Sequence, residues 1–384
     1  MNLLLVISSN EGTIASCAYQ LYKGLLKEVP EHKVYVVCYG RYSKDGFDFG
    51  RGNCYKLNFL KKNGVSSIGI HTVLLKKIKK KCKIDCSIST QTGTSLWNVI
   101  SGIGEYKIGI FHAKLEQAYA AGLKNYVYFL LLYKTIFRFL DKKIGVSQSV
   151  VKDLITNIGG NVQLCYNIHD IENIRQKAQN ILLDKDEIEI FSKPVILYVG
   201  AAYEYIKAPD RLLKAFISLK KQIADDVQLV YIGKDVDCTW EKLKDLARIN
   251  HVDKSVHFLG PRKNPYQYMK RSSMLVSPSR DEGLPGVIIE SLSIGTPCVA
   301  TNSTLGNWEI MQCDHLYKEN LTNIVHTSMG CITPNIIDDE EFTVKMLAKG
   351  IYKLYTKNDL DMSKFDTSRF TSKHIIGKIL IDIG

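Results

Sequence analysis

Short apolar runs alternate along this chain with segments whose apolar positions recur every three or four residues. The second half is the more regular. Pro194-Val195-Ile196-Leu197-Tyr198-Val199-Gly200 is a continuous apolar run ending in glycine, the pattern of a parallel strand buried on both faces. Leu212, Leu213, Phe216 and Leu219 then recur at helical spacing. The same reading predicts strands at 227–232, 256–259, 274–277 and 297–301. Between them it predicts helices at 210–220, 240–249, 265–271 and 287–294. In the first half, strands are expected at 2–7, 33–38, 85–88, 107–111 and 143–146, and helices at 13–28, 68–81, 116–140 and 148–158. Strand and helix in alternation with short links mean parallel sheets covered on both faces. The expected fold class is therefore α/β, with two doubly wound, Rossmann-like domains. They would span 1–170 and 171–365, joined near 170–192, with a ligand cleft where the strands' carboxyl ends open. A length of 384 residues fits two domains.

Composition narrows the class. A membrane span needs about 20 consecutive apolar residues, and the longest run, Tyr126 to Tyr133, is broken by Lys134 and Arg138. The run Leu3-Leu4-Leu5-Val6-Ile7 lacks a basic leader and is short for a signal peptide, so it reads as a first buried strand. The ten cysteines are scattered, with no C-x-x-C pair, as expected of reduced, mostly buried thiols in a cytoplasmic protein. Net charge is +12, and it is unevenly placed: residues 1–180 carry 25 Lys and Arg against 12 Asp and Glu, whereas 181–384 carry 26 against 27. Such asymmetry suggests that the first domain faces an anionic surface or substrate.

The segment Ser277 to Pro297, SPSRDEGLPGVIIESLSIGTP, carries the chemistry. A strand ends in a serine-rich turn, and a loop with Gly283 and Gly286 leads into a helix. The exposed amides of that helix and the small residues before it suit a phosphate. Glu282 and Glu290 would repel phosphates but accept hydrogen bonds from hydroxyls. Phosphate and polyol together describe a nucleotide sugar.

Glu282 and Glu290 are separated by seven residues, between an E-G-L-P start and a G-T-P exit. This arrangement resembles the E-x7-E signature of retaining GT-B glycosyltransferases of the family 4 type (glycosyl transferases group 1). In the family's order, Val199-Gly200 followed by Lys207 resembles its diphosphate loop, Phe258-Leu259-Gly260 its nucleobase loop, and Gly306-Asn307-Trp308-Glu309-Ile310 its G-x-x-E segment. Val146 to Val150 and Tyr166 to Asp170 resemble the close of its first domain, and Gly330-Cys331-Ile332 a late turn. The likeness is specific over 194–312 and general over 1–145. It implies catalytic roles for Glu282 on the transferred sugar, Lys207 on the leaving diphosphate and His112 near sugar and acceptor. It implies donor binding by Gly12, Gly200, Pro261, Arg262, Gly283, Leu284, Pro285, Gly286, Val287 and Glu290, the last on the ribose. Similar enzymes retain anomeric configuration without a metal or other cofactor, and their segment equivalent to 366–384 packs back on the first domain. One departure is plain. The family places arginine directly after the glycine, six residues before the lysine, and this chain has Ala201. Either Arg280, Lys234 or Arg262 substitutes, or catalysis is compromised.

Plainer readings compete. Two glutamates around a helix start often serve as caps, Lys207 alone would be a solvated lysine, His112 a structural histidine and Gly12 a turn residue. The glycines and correctly ordered flanks favour function. Asp235-Val236-Asp237 and Asp359-Leu360-Asp361 imitate a metal motif of another glycosyltransferase fold but fall in ordinary loops, so no catalytic metal is expected. The cluster Lys76 to Lys83, and a stripe of Lys134, Arg138 and Lys142 on an aromatic-rich helix, suggest an acidic membrane surface; no nucleic-acid module is present. The expected activity is sugar transfer from a nucleotide-diphosphate sugar, UDP-linked, to a lipid-linked glycan acceptor at the inner face of the cell membrane in surface-polysaccharide synthesis. A same-fold transferase with a soluble acceptor, and a non-catalytic sugar-nucleotide-binding subunit, are the alternatives.

Overall fold

The computed structural model describes residues 1–383 except 41, 51, 58–64, 116–121, 181–182, 221, 224–225, 357–359 and 382. The chain forms two compact units, Met1–Asp170 with Ser368–Gly384, and Ile171–Thr367.

The first unit is built on seven strands: β1 (Asn2–Ile7), β2 (Lys33–Cys38), β3 (Cys54–Lys56), β4 (Cys86–Ser89), β5 (Tyr106–Phe111), β6 (Lys142–Gly145) and β7 (Val162–Leu164). They lie in the order β3-β2-β1-β4-β5-β6-β7, every pairing parallel. Leu3, Leu4, Leu5 and Val6 are wholly buried, because a central parallel strand is covered on both faces. The C-terminal helix Ser372–Leu380 belongs to this unit and packs on the helix Thr13–Glu28. Gly24 makes the approach close: a Cβ there would stand 3.1 Å from Ile168 Cδ1 and 3.2 Å from Ser372 Cβ. Ser372 Oγ donates to Glu28 Oε1 at 2.6 Å.

Three expectations for this unit need correction. The helix foreseen at 116–140 is shorter: Leu123–Lys134 is α-helical and Phe137–Phe139 is a 3₁₀ turn, while 116–121 lie outside the described residues. Second, Lys134, Arg138 and Lys142 do not form a stripe. Lys142 opens β6, is wholly buried, and donates from Nζ to the carbonyls of Lys378 and Ile379 at 2.8 and 3.1 Å. It ties the returning helix to the sheet. Third, the lysine cluster at 76–83 is not uniformly solvated. Lys79 is buried against Glu105 at 2.5 Å and the Asn98 carbonyl at 2.8 Å. Burial lowers its pKa to about 8, against the opposing pull of Glu105.

The second unit repeats the architecture with β8 (Val195–Val199), β9 (Gln228–Ile232), β10 (Val256–Gly260), β11 (Met274–Ser277), β12 (Cys298–Thr301), β13 (Val325–Thr327) and β14 (Gly330–Thr333). The order is β10-β9-β8-β11-β12-β14-β13, and only the edge strand β13 is antiparallel to its neighbour. Gly330 to Ile332 is thus part of a buried strand and not a turn, because Cys331 and Ile332 pack in the sheet interior. The stretch near 170–192, read as a join, holds two helices, Ile171–Gln179 and Lys185–Phe191. They belong to the second unit: Arg175 Nε donates to the Ser293 carbonyl at 3.0 Å, and Glu187 Oε1 accepts from Arg262 Nη2 at 2.8 Å. None of the ten cysteines is in a disulfide, and seven are buried.

Candidate active site

The carboxyl ends of β8, β10 and β11 lead into the expected site residues of the second unit. Beyond Val199 the chain runs through Gly200, Ala201 and Ala202 into the short helix Glu204–Lys207. Ala208 then takes φ +46°, a left-handed conformation that turns the chain into the helix Pro209–Leu219. The β8 and β9 backbones stay close beyond the sheet proper. A Cβ on Gly233 would come within 1.7 Å of the Gly200 carbonyl oxygen, so only glycine fits there.

Lys207 and Glu282 meet. Their Nζ and Oε1 atoms are 2.5 Å apart, and Ser279 Oγ donates to the same Oε1 at 2.9 Å. The two side chains retain 31% and 11% of their exposure, so the pair is open to a ligand. A 75-residue separation in sequence is closed by the sheet, since β8 and β11 are hydrogen-bonded neighbours.

Both loops of this pair are held by Arg280, which pattern reading named only as a candidate cation, and by Arg211 and Glu340, which it missed. Arg280 donates from its amide to the Ile206 carbonyl (2.8 Å) and from Nη1 to the Glu204 carbonyl (2.7 Å). Its Nη2 reaches Glu340 Oε1 at 2.8 Å. The fully buried Arg211 grips that glutamate through Nε and Nη2, and Asn335 Oδ1 through Nη1 at 2.7 Å. Burial would raise Glu340, but the hydrogen bonds and charges of Arg211 and Arg280 hold it below its usual value. An arginine on the apolar face of a helix, directly before Leu212 and Leu213, was the available signal.

The glycine-containing loop is equally fixed. Thr301 Oγ1 donates to the Ser279 carbonyl at 2.5 Å and Thr304 Oγ1 to the Gly283 carbonyl at 3.1 Å. A Cβ on Gly306 would lie 2.7 Å from that Gly283 oxygen. Gly283, Leu284 and Pro285 lead into the helix Gly286–Ser293, whose first turn includes Val287 and carries neither a side-chain cap nor an acidic residue. Amides at such an end favour an anion. Glu290 lies one turn further, with Tyr266 Oη donating to Oε1 at 3.4 Å. Burial of its carboxyl pushes the pKa up to about 7.

Pro261 and Arg262 follow β10. Arg262 is fully engaged: Nη2 and Nε reach Glu187 Oε1 at 2.8 and 3.1 Å, Nε also reaches Tyr268 Oη at 3.1 Å, and Nη1 donates to the Leu259 carbonyl. The side chain braces the loop that follows β10. Asp235, in the D-x-D imitation, accepts from the amides of Thr239 and Trp240 at 2.8 and 3.3 Å, which is the work of a helix cap. Asp359 of the second imitation lies outside the described residues.

In the first unit, Gly12 precedes the helix Thr13–Glu28 at φ +90°, ψ −180°, which only glycine adopts without strain, and the space around it is open. His112 directly follows β5 and lines a small pocket with Thr90, Asn167 and Ile168. Burial lowers its pKa to about 4, so the ring is neutral at physiological pH.

Residues 193–337, which carry the Lys207–Glu282 pair and the glycine loop, match the family described as glycosyl transferases group 1. That is the second unit's family likeness. An uncharacterized glycosyltransferase of Haemophilus influenzae is 31% identical over 196 residues, half of this chain and 48% of its own length. The Campylobacter jejuni N-acetylgalactosamine-N,N'-diacetylbacillosaminyl-diphospho-undecaprenol 4-alpha-N-acetylgalactosaminyltransferase is 31% identical over 171 residues, 44% of this chain and 43% of its own. The chain thus spans about half the length of the curated relatives it matches. Over the whole chain, the fold is shared with the lipopolysaccharide outer core galactosyltransferase WaaB (TM-score 0.70, 16% identity, 100% of both chains). It is shared also with HepE of Anabaena, solved with UDP-glucose (TM-score 0.66, 15% identity, 100% of both chains). Two Rossmann-like α/β units, the architecture of those structures, are therefore the fold of this chain.

Proposed function

We propose that the protein is a retaining, metal-independent glycosyltransferase that moves a sugar from a UDP-sugar to a glycan acceptor in polysaccharide synthesis. The observation that carries this reading is the Lys207–Glu282 pair, 2.5 Å apart, beside an uncapped helix start at Gly286. A cation and a helix N-terminus stabilise a departing diphosphate, and a carboxylate next to them accepts hydrogen bonds from sugar hydroxyls. Glu290 takes the ribose hydroxyls, and the Pro261–Arg262 backbone edges the base. Within the first unit, the open space at Gly12 suits close approach of an anionic ligand, and neutral His112 can donate to or accept from a hydroxyl. HepE is solved with UDP-glucose, and the Campylobacter relative is named for a diphospho-undecaprenol acceptor; both support a UDP donor and a lipid-linked acceptor here.

The reaction needs no group beyond donor, acceptor and protein. The anomeric C–O bond to the β-phosphate breaks with its electron pair on the phosphate oxygen. The acceptor hydroxyl oxygen forms the new bond on the same face, and its proton passes to the leaving phosphate. Positioning and charge stabilisation are what the protein supplies.

A membrane location is part of the proposal. The helix Leu123–Lys134 exposes Leu123, Val127, Tyr128 and Leu131, and Phe139 beyond it is exposed as well. Basic residues Lys124, Lys134 and Arg138 accompany them, a combination suited to anionic lipid. The test of function is sugar transfer or donor hydrolysis by the purified protein, lost in Glu282→Ala and Lys207→Ala. Tight UDP binding without turnover for any acceptor would instead identify a binding subunit.

A further inference from the structure

The diphosphate loop has alanine at position 201, and the neighbourhood contains three cations that could replace a side chain there. Two of them are already engaged. Arg262 is bound to Glu187, Tyr268 and the Leu259 carbonyl. Arg280 is bound to Glu340 and to the main chain of the loop that carries Lys207. Releasing either would unpair a buried or half-buried carboxylate.

The third is placed by strand register. β8 and β9 pair in parallel, with Val195 opposite Gln228 and Val199 opposite Ile232, an offset of 33 residues. Beyond the sheet the same offset reappears in a parallel bridge between Ala202 and Asp235. Two main-chain hydrogen bonds hold the stretch together: the Gly200 amide to the Ile232 carbonyl, and the Ala202 amide to the Lys234 carbonyl, both 2.9 Å. Gly233 lies against Gly200 so closely that no Cβ fits between them. The register therefore sets Lys234 directly beside Ala201. Parallel partners in register lie about 5 Å apart and present side chains to the same face. Lys234 is exposed, and among the described residues no carboxylate pairs with it. A lysine stem is long enough to cover the ground that an arginine at 201 would occupy.

We infer that Lys234 supplies the second positive charge on the leaving diphosphate, acting with Lys207 across the β8–β9 edge. The inference rests on the glycosyltransferase reading. It states how the chain carries two cations at this site although Ala201 provides none. The charge has moved to the adjacent strand, and the backbone zip between 200–202 and 232–235 keeps it in position.

The experiment compares wild type, Lys234→Ala, Lys234→Arg and the double variant Lys234→Ala/Ala201→Arg. Readouts are nucleotide-diphosphate release from the UDP-sugar that the wild type turns over, and calorimetric affinity for UDP and for uridine. Removing one donor to a developing anion costs about 10²-fold in turnover, and that loss is expected for Lys234→Ala. UDP affinity should weaken about tenfold while uridine affinity stays unchanged, a split that a general structural defect would not produce. Lys234→Arg should keep most activity, and arginine at 201 should restore the double variant to within about tenfold of wild type. Wild-type turnover with an unaffected Lys234→Ala would overturn this inference and leave the transferase reading standing. A wild type that neither binds UDP nor turns over any donor would overturn both.

Discussion

Glu290 joins a buried position to a pH dependence. Its carboxyl is pushed up to about 7 by burial, so near neutrality it is divided between protonated and ionised forms. Ribose hydroxyls donate to the ionised form, and binding therefore favours loss of the proton. Affinity for a UDP-sugar should rise as pH increases from about 6 to 8, with proton release below 7. Glu290→Gln should bind about tenfold more weakly with no such slope. Calorimetric titration in buffers of different ionisation heat checks both. The sign for the unliganded protein is opposite. A raised carboxyl pKa means that the folded state binds more protons than the unfolded chain between 4.5 and 7. Glu290 thus subtracts stability as pH rises through that window, and Glu290→Gln should flatten this part of the melting profile. Lys79 is a different kind of buried charge. Lys79→Met leaves Glu105 enclosed without its cation and should cost about 3–5 kcal/mol; adding Glu105→Leu should recover part of the loss in denaturant titrations. What was legible at this scale were residues fixed by motif order: Lys207 and Glu282 do meet. Arg211 stood out only as an arginine on an apolar helix face; its pairing with Glu340 was not legible, because a charge pair between positions 129 residues apart leaves no periodic trace.

At the scale of elements, the donor loop depends on a neighbouring helix with no side chain at one position. Gly306 opens against the Gly283 carbonyl, where a Cβ would stand 2.7 Å from the oxygen. Gly306→Ala should displace the Gly283–Leu284 loop and weaken UDP binding by about tenfold or more. Melting should show a loss of about 1–3 kcal/mol, the usual cost of overpacking. The long apolar strands of both sheets were readable from their hydrophobic runs, and β1 and β2 fall at the expected residues. Three-residue strands such as β3 and β7 were not, since so short a segment carries no period. The helix foreseen to 140 ends earlier because Thr135 closes it and Leu140 turns extended; the apolar residues that follow serve the core around Phe137. Lys142 shows the same limit. It sits on a strand that the carbonyls of Lys378 and Ile379 make hospitable to an ammonium, and those partners lie far away in the sequence.

Over the whole molecule, the excess charge of residues 1–180, 25 basic against 12 acidic, is accompanied by exposed apolar side chains on the helix Leu123–Lys134. Among the described residues no helix is long and apolar enough to cross a membrane. Surface association predicts flotation with vesicles containing anionic lipid but not with neutral ones, diminished by salt. Leu131→Glu with Phe139→Glu should abolish it while leaving the melting temperature nearly unchanged. The two-unit α/β architecture was legible because alternation of buried strand and amphipathic helix repeats twice. The return of Ser372–Leu380 to the first unit rests on tertiary contacts such as Gly24 against Ser372, which no local pattern encodes. The central claim is that the cation–carboxylate pair beside the glycine loop serves sugar transfer. Its most direct test incubates the purified protein with a panel of UDP- and GDP-sugars and follows free nucleoside diphosphate. Slow release from one UDP-sugar, lost in Glu282→Ala while UDP binding persists, is the expected result. Release from none of them, with neither UDP nor GDP bound in calorimetry, would contradict it.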